Sequence, residues 1–311
     1  MSKREINKVS IIGMGALGLL YGSHIVKRLG MEAVDFIMDD NRFTKYKDQK
    51  FYCNGEELQF ALTRDSEAKP ADLLIVAVKS TGLNKAIASM KRCIGPDTII
   101  LSVLNGISSE KVIGTHYGMD KVLYTVAQGM DAMKFDHKLQ YTHIGELRLG
   151  IVDKSQEDKL NCVISFFDQI ELPYVVEEDI LHRMWSKFML NVGVNQTCMV
   201  YDTNYAGALA FGEPNRTMIS AMREVIAIAN AEGINLSEAD LNQYIDIIGR
   251  LNPEGTPSMG QDRINRKQSE VESFAGTVIE IAKKHKIYVP TNEFLYRRVK
   301  EIEQEYHNRG Q

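Results

Sequence analysis

Three polar side chains recur at four-residue intervals in an otherwise apolar stretch. They are Lys187, Asn191 and Asn195, within WSKFMLNVGVN at residues 185–195. This spacing places them on one helical face, and a polar stripe on a buried helix needs partners. Burial against apolar surface lowers the pKa of a lysine, which can then give a proton to the alkoxide formed when hydride reduces a carbonyl. The two amides would orient a substrate; the alternative is a structural hydrogen-bond network between helices.

A GxGxxG motif near the start of the chain suits phosphate binding. Its first glycine permits a tight turn, its second lets the backbone approach a pyrophosphate, and its third lets helix and strand pack closely. A following helix adds free N–H groups and partial positive charge. The motif predicts a dinucleotide site, although alone it is also compatible with a simple strand-to-helix turn. It comprises Gly13, Met14, Gly15, Ala16, Leu17 and Gly18.

Two charged residues after the second predicted strand bear on which dinucleotide is bound. Asp39 stands where an acid accepts hydrogen bonds from the ribose 2′-OH, which favours NAD. Arg42 follows closely and can pair with the 2′-phosphate of NADP. A solvated turn is the third interpretation. The residues alone are compatible with either cofactor.

Two other strand ends are candidates for the same edge of the sheet. Lys79 follows the apolar run at residues 73–78, and Asn105-Gly106 follows the run at residues 98–104. Ligands of such sheets bind outside the carboxyl ends of the strands. Lys79 could bring positive charge to a cofactor or carboxylate, and Asn105 could fix the nicotinamide ribose or a carbonyl. Their alternatives are a solvent-facing lysine and a plain Asn-Gly turn.

The segment PSMGQDR, residues 257–263, offers a further candidate. Ser258 can cap the helix that we predict to follow it, which would make a carboxylate site. Asp262 and Arg263 are interpreted as an ordinary exposed helix start. On local grounds Glu270 is one acid among many on a charged helix, and we expect it at the surface.

The elements that position these residues follow from hydrophobic patterning. Short apolar, β-branched runs alternate with helical stretches in the first half, which predicts a doubly wound parallel sheet of the Rossmann type, an α/β fold. The predicted strands are 9–12, 33–38, 73–78, 98–104 and 122–127, and the predicted helices are 16–27 and 83–92.

Helical spacing takes over after about residue 177, which predicts an all-helical second domain. We therefore expect a dinucleotide-binding domain at residues 1–177 and a substrate-binding, catalytic domain at residues 178–311. The predicted helices of the second domain are 180–194, 215–231, 237–249, 264–285 and 292–306.

Composition excludes several classes of function. The formal net charge of −4 gives no basic field for nucleic acid or anionic membrane. The four cysteines form no CxxC pair and no zinc-ligand spacing with histidine, so we expect reduced thiols and no metal. The polar N-terminus and the absence of a long apolar run predict a cytoplasmic protein without signal or membrane segment.

Taken together, these motifs resemble the ketopantoate reductase family (2-dehydropantoate 2-reductases) over almost the whole chain. The resemblance rests on their order and spacing, which are more specific than any single motif. The motifs are GMGALG at residues 13–18, VKS at 78–80, LNG at 104–106, WSK at 185–187 with Asn191 and Asn195, and SMGQD at 258–262 followed by Glu270.

The resemblance implies a role for each candidate. Lys187 matches the catalytic proton donor, and Glu270 matches an acid that contacts or orients the substrate, against our local expectation. Substrate-binding positions are matched by Asn191, Asn195 and Ser258, and Lys79 and Asn105 match positions near the nicotinamide.

The implied reaction is NADPH-dependent reduction of 2-dehydropantoate to (R)-pantoate, in pantothenate and coenzyme A biosynthesis. Family members often place a basic residue directly after the second strand to hold the 2′-phosphate. Here Asp39 stands there with Arg42 downstream, so NAD stays possible.

Two other functions fit the same features. A related 2-hydroxyacid dehydrogenase would act on another 2-keto acid, because a Lys-x-x-x-Asn pair also occurs in β-hydroxyacid dehydrogenases. Ser258 and Glu270 favour the ketopantoate reductase. A non-catalytic NAD(P)-sensing protein is less favoured, since it has no need of a buried lysine beside amides. A homodimer is compatible with a helical second domain.

Overall fold

The computed structural model describes residues 5–308, and the chain forms two compact units. The first unit ends at Ile180 and contains all strands of the described chain. The second unit begins at Leu181 and is helical. This confirms the predicted fold class, an α/β region with a parallel-dominated sheet followed by a helical region.

The first unit alternates strands and helices. Its strands are β1 (Val9–Ile12), β2 (Val34–Met38), β3 (Phe51–Cys53), β4 (Glu56–Leu58), β5 (Ala61–Arg64), β6 (Leu73–Val76), β7 (Ile99–Ser102), β8 (Val122–Gln128), β9 (Met133–Phe135), β10 (Lys138–Gln140), β11 (Glu146–Gly150) and β12 (Tyr174–Val176). Its helices are α1 (Ala16–Leu29), α2 (Asp40–Tyr46), α3 (Leu83–Met90), α4 (Ser109–Tyr117) and α5 (Glu157–Gln169). The strands predicted at 73–78 and 98–104 are therefore shorter than expected.

The main sheet has eight strands in the order β12-β11-β8-β7-β6-β1-β2-β5. Neighbouring strands are parallel except at β8 and β11, which are antiparallel. The chain runs outward from β1 through β2 and then restarts on the other side at β6, so the strand order reverses between β1 and β6. Ile12 pairs with both Ile37 and Val76, so the carboxyl ends of these three strands lie level. Such a reversal point is where open α/β sheets bind ligands.

Both faces of this sheet are covered. Alternate strand residues point to opposite faces, and Ile11 and Ile75 belong to one core cluster with residues of α1 and α5. Ile12 and Val76 belong to the other, with residues of α3 and α4. Burial on both faces explains why the strands read as unbroken apolar runs rather than alternating patterns.

A second, four-stranded sheet in the order β4-β3-β10-β9 was not predicted. Each of its strands is only three residues long. Asn54 and Gly55 join β3 to β4 with φ angles of 50° and 89°, as a type I′ hairpin turn requires. That Asn-Gly pair was the sequence signal for this sheet.

The second unit consists of helices joined by short segments. They are α6 (Ile180–Leu190), α7 (Gln196–Tyr201), α8 (Tyr205–Leu209), α9 (Glu213–Ala231), α10 (Glu238–Gly249), α11 (Ser258–Ile264), α12 (Ala275–His285) and α13 (Pro290–Asn308). A π-helical turn, Asn191–Asn195, joins α6 to α7. Within residues 5–308, no helix is long and apolar enough to cross a membrane.

The single helix predicted over residues 264–285 is wrong in its first half, whereas Ala275–His285 is helical as predicted. The chain leaves α11 after Ile264, and Arg266 adopts a left-handed conformation with φ of 50°. An irregular stretch and a single 3₁₀ turn, Val271–Ser273, follow before α12 begins. Glu270 therefore lies in the connection between two helices.

Candidate active site

The glycine loop, residues 13–18, turns sharply from β1 into α1. Gly13 has φ of 112°, and a Cβ atom there would stand 2.3 Å from the Ala77 carbonyl oxygen. A Cβ atom at Gly18 would stand 1.8 Å from the Gly13 carbonyl oxygen. The backbone fold itself thus requires glycine at both positions, because a side chain would overlap backbone atoms.

Gly15 differs from these two glycines. It has φ of −76°, which any residue adopts, and a Cβ atom there would approach protein only at the Ala77 carbonyl oxygen, 3.7 Å away. No contact with the described residues, 5–308, demands glycine here. A missing side chain beside open space is what close approach of a pyrophosphate requires.

A cleft opens at this position, at the carboxyl ends of β1, β2 and β6. We call it the loop cleft; its volume is about 260 Å³. The first turn of α1 points toward the loop and carries no acidic residue, so no carboxylate of that turn competes with an anion for its free N–H groups. The residues that line the cleft are Gly13, Met14, Gly15, Ile37, Met38, Arg42, Tyr46, Ala77, Val78, Lys79, Thr81 and Gly82.

Asp39 and Arg42 have different surroundings. The Asp39 carboxylate caps α2, where it accepts a hydrogen bond from the Arg42 backbone N–H at 2.8 Å. Asp39 is not among the residues that line the loop cleft, whereas the exposed Arg42 is. The Arg42 Nε atom lies 3.9 Å from Asp39 Oδ2. This geometry favours the capping role for Asp39 and leaves the arginine at the cleft.

Lys79 and Asn105 both follow strand ends of the main sheet. Lys79 is exposed, lines the loop cleft and lies three residues beyond the end of β6. Asn105 is half-buried, stands outside the set of cleft-lining residues and precedes Gly106, whose φ is 100°. The positive φ of Gly106 agrees with the turn interpretation, and the cofactor role of Asn105 stays a prediction.

Lys134 reaches the glycine loop from the small sheet. Its Nζ atom donates a hydrogen bond to the Met14 carbonyl oxygen at 2.6 Å and lies 5.7 Å from the centre of the Tyr46 ring. Our sequence reasoning missed this residue because the sheet that carries it was missed. No motif marks a lysine more than a hundred residues from the loop it contacts.

In the second unit, α6 carries Lys187 within an apolar helix. The Phe188 ring lies 5.9 Å from Trp185 and 6.5 Å from Phe274, measured between ring centres. Lys187 is half-buried, and Asn191 and Asn195 are buried at 8% and 5% exposure. The predicted burial of a polar stripe along this helix is confirmed.

The π-helical turn affects how this stripe lines up. In an α-helix each four-residue step overshoots a full turn by about 40°, so two steps would carry Asn195 well away from Lys187. The turn from Asn191 to Asn195 is wider, and each of its residues advances by a smaller angle. It therefore returns Asn195 toward the line of Lys187. π-Helical turns inside α-helices are frequent at functional sites.

Ser258 contacts the polar stripe but does not cap a helix. It is the first residue of α11, Pro257 precedes it in the capping position, and no side-chain cap is formed. The exposed Ser258 hydroxyl accepts a hydrogen bond from the Asn195 side-chain amide at 3.4 Å. The expected cap is thus wrong, but the pairing of Ser258 with the polar stripe is observed.

Arg263 holds α11 against the end of α7. It donates hydrogen bonds to the carbonyl oxygens of Met199 and of Val200, the latter at 3.1 Å. Its Nε atom also lies 3.4 Å from Asp202. Arg263 is therefore not the exposed helix start that we expected, because it satisfies the last carbonyls of α7.

Glu270 is buried, with 8% exposure, so its expected place at the surface is wrong. The residues beside it are anchored on both sides. Ser269 donates through its N–H and its hydroxyl to the buried Glu303 carboxylate, at 2.8 and 2.7 Å. Ala275 donates its N–H to the Gln196 side chain at 3.1 Å. Because Gln196 follows Asn195 directly, the helix of the polar stripe also fixes the segment of Glu270.

A second cleft of about 290 Å³ lies beside α11 and is lined by Cys198, Asp202, Asn204, Glu254 and neighbouring residues. Its two carboxylates disfavour an anionic substrate. Burial raises the pKa of the Cys198 thiol to about 12, so the thiol is protonated at neutral pH and is not a nucleophile. This cleft therefore does not suit a keto acid.

Comparison with known protein families agrees with both units. Residues 9–154 match the family model described as Ketopantoate reductase PanE/ApbA, and residues 179–303 match the model of the Ketopantoate reductase PanE/ApbA C terminal.

Curated relatives match over most of their length. A 2-dehydropantoate 2-reductase of Streptococcus pyogenes is 25% identical over 278 residues, 87% of this chain and 89% of the relative. The enzyme of the same name from Aquifex aeolicus is 24% identical over 302 residues, 95% of this chain and 96% of the relative.

Solved structures share the fold. A ketopantoate reductase from Ralstonia eutropha has a TM-score of 0.80 at 23% identity, covering 96% of this chain and 99% of the other. A D-mandelate dehydrogenase with NADH and anilino(oxo)acetate has a TM-score of 0.84 at 21% identity, with the same coverage. Because the two family models together span most of the chain, it belongs to the ketopantoate reductase family, a family of oxidoreductases.

Proposed function

We propose that this protein reduces 2-dehydropantoate to (R)-pantoate with NADPH, a step of pantothenate and coenzyme A biosynthesis. The observation that carries the proposal is the buried polar stripe of Lys187, Asn191 and Asn195, with Ser258 hydrogen-bonded to it, in a chain whose two halves both match the family. A half-buried lysine beside two amides suits a keto acid, which offers a carbonyl to protonate and a carboxylate to bind.

The first unit fits a nicotinamide dinucleotide. Gly15 leaves open the space that a pyrophosphate needs, and the first turn of α1 supplies N–H groups free of competing acids. Backbone N–H groups of the glycine loop would hold the pyrophosphate. Lys79, at the end of the neighbouring strand, would bring positive charge to the same cleft, and Asn105 is proposed for the nicotinamide ribose.

Arg42 supports NADPH over NADH. It lines the cleft at the end of β2, where the adenosine ribose of a dinucleotide lies, and an arginine pairs well with a 2′-phosphate. Asp39, the residue that would favour NADH, uses one carboxylate oxygen to cap α2.

A bound nicotinamide cofactor supplies hydride to the keto carbon. Lys187 then has one task, which is to donate its ammonium proton to the keto oxygen as negative charge develops there. Hydride and proton together give the alcohol, and the neutral amine recovers its proton from solvent. The amides of Asn191 and Asn195 and the Ser258 hydroxyl hold the substrate, while Glu270 orients it.

A second candidate is a 2-hydroxyacid dehydrogenase with another substrate. The likeness to D-mandelate dehydrogenase, which carries NADH and anilino(oxo)acetate in that structure, favours this alternative. The two functions differ in the substituent on the keto carbon and in the preferred cofactor.

A kinetic panel separates the candidates. Oxidation of NADPH and of NADH is followed at saturating cofactor with ketopantoate, pyruvate, 2-ketoisovalerate and phenylglyoxylate. We expect the highest kcat/KM for ketopantoate with NADPH. A higher value for phenylglyoxylate or a shorter keto acid would favour the alternative. Cofactor binding without turnover of any keto acid would favour a sensor protein.

We also propose a homodimer, as in the dimeric ketopantoate reductase of Staphylococcus aureus, which shares the fold with a TM-score of 0.79 at 19% identity. Light scattering of the purified protein at micromolar concentration tests this directly. A mass of twice 35.1 kDa is expected, and a single chain mass would contradict it.

A further inference from the structure

The short strand β9 turns a charged side chain toward the protein and apolar side chains toward solvent. Lys134 lies at its centre, between Met133 and Phe135, which are 41% and 55% exposed. Lys134 pairs with Leu139 of β10, which is 1% exposed and belongs to the core. Since directly paired residues of neighbouring strands lie on one face, the strand turns its charge inward and its two large apolar side chains outward. Such an arrangement is unusual, because strands mostly turn apolar side chains to the core and charged ones to solvent.

The inward side chain contacts two residues of the loop cleft, although Lys134 is not itself among the residues that line it. The Lys134 Nζ atom is 2.6 Å from the Met14 carbonyl oxygen, and Met14 and Tyr46 both line that cleft. Tyr46 packs against Phe51 and His137, with ring centres 5.9 and 6.1 Å away. This aromatic group is contributed by α2 and the small sheet, and the ammonium lies at its edge, beside the second residue of the glycine loop.

The charges around the cleft point to an anion. Arg42 and Lys79 line it, Lys134 donates a hydrogen bond to the lining residue Met14, and none of the described residues that line it is acidic. A carbonyl oxygen facing a phosphate would repel it. A lysine on the Met14 carbonyl offsets that repulsion and places a positive charge next to the loop that wraps a pyrophosphate.

We propose that Lys134 is a cofactor-binding residue that pairs with the pyrophosphate, and that the small sheet serves to deliver it. This rests on the proposed dinucleotide function. The pyrophosphate is common to NADH and NADPH, whereas the 2′-phosphate belongs to NADPH alone. The hydrogen bond of Lys134 goes to the glycine loop, whereas Arg42 lies on α2, and this favours the pyrophosphate as the group that Lys134 binds.

The test is a fluorescence titration of the full-length protein with NADPH and NADH, without substrate. Lys134→Met keeps the apolar stem and removes the charge, and Lys134→Arg keeps the charge. Lys138→Met is the matched control, because this exposed lysine lies on the paired strand β10. We expect Lys134→Met to raise the Kd of both cofactors by a similar factor of about 10 to 100, the effect of one hydrogen bond to a charged group. Lys134→Arg and Lys138→Met should stay within about threefold of wild type.

Ionic strength provides the second readout. A lost ion pair makes cofactor affinity less sensitive to salt, so the salt dependence of Kd should be weaker in Lys134→Met. A weaker affinity with unchanged salt dependence would mean that Lys134 only braces the loop and would overturn the proposal. Unchanged affinity, or a loss confined to NADPH, would also overturn it. If wild type binds neither cofactor, the proposed function itself fails, which is a separate result.

Discussion

Asn195, the last residue of the π-helical turn, donates its side-chain amide hydrogen bond to the Ser258 hydroxyl at the start of α11. The bond is long, at 3.4 Å, and joins a buried amide to an exposed hydroxyl. Both groups belong to the proposed substrate site. Such a pair can exchange its mutual bond for bonds to a carboxylate or hydroxyl of the substrate.

Ser258→Ala should raise the KM of ketopantoate about 2- to 10-fold with little change in kcat, because one neutral hydrogen bond to the substrate is lost. Steady-state kinetics at saturating NADPH measure both constants. Ser220→Ala is the matched control, since this exposed serine lies on α9. A change in kcat with constant KM would contradict a binding role.

Two glycines of the glycine loop should differ in their roles, with Gly15 serving cofactor binding and Gly18 serving the fold. Gly15→Ala places a methyl group where the protein leaves space, so we expect a normal Tm and an NADPH affinity weaker by about one to two decades. Gly18→Ala forces a methyl group against the Gly13 carbonyl and should destabilise the fold by about 3 kcal/mol or more. Thermal unfolding and cofactor titration of both variants measure the two effects. If Gly15→Ala binds NADPH normally, the loop does not hold the pyrophosphate.

In the proposed function, Arg42 sets the preference for NADPH over NADH. Arg42→Ala should raise the Kd of NADPH about 10- to 100-fold, as expected for a lost charged hydrogen bond, and should leave that of NADH nearly constant. Parallel titrations with both cofactors measure this.

Asp39→Ala tests the competing assignment, in which Asp39 binds the adenosine ribose of NADH. Loss of the cap on α2 should reduce the free energy of unfolding by about 1 kcal/mol. It should weaken the binding of NADPH and of NADH equally. Asp39→Asn, which can still cap, is the control. A loss specific to NADH in Asp39→Ala would mean that Asp39 binds the ribose and would favour NAD.

Glu270→Gln removes a buried charge at nearly constant shape. We expect kcat/KM for ketopantoate to fall about 10- to 100-fold, since a charged hydrogen bond contributes about 1.5–3 kcal/mol, while NADPH affinity stays constant. Glu272→Gln, on the exposed side of the same turn, should have little effect. Equal activity of the two variants would remove Glu270 from the site.

The sequence was most informative where local chemistry decides the structure. The strand at Val9–Ile12 was predicted with its observed ends, since an apolar run stops at a glycine turn that the backbone itself requires. The polar stripe from Lys187 to Asn195 was likewise predicted from its four-residue spacing, although a regular α-helix would carry Asn195 away from the line of Lys187. The π-helical turn within it leaves no trace in such a pattern.

Tertiary contacts explain what was missed. Helical propensity around residues 264–270 is overridden, because Ser269 is held by Glu303 from a distant helix and Arg266 turns the chain. The burial of Glu270 follows from the same contacts and has no local signal. Lys134 was missed because strands of three residues are too short to show a period.

The central claim is that Lys187 protonates the keto oxygen during hydride transfer. Its most direct test is single-turnover oxidation of bound NADPH by ketopantoate in wild type, Lys187→Ala and Lys187→Arg, since an arginine keeps the charge but does not release a proton. We expect both variants to bind NADPH normally and to lose about two to four decades in the rate of NADPH oxidation. A rate within about tenfold of wild type in Lys187→Ala would contradict the account.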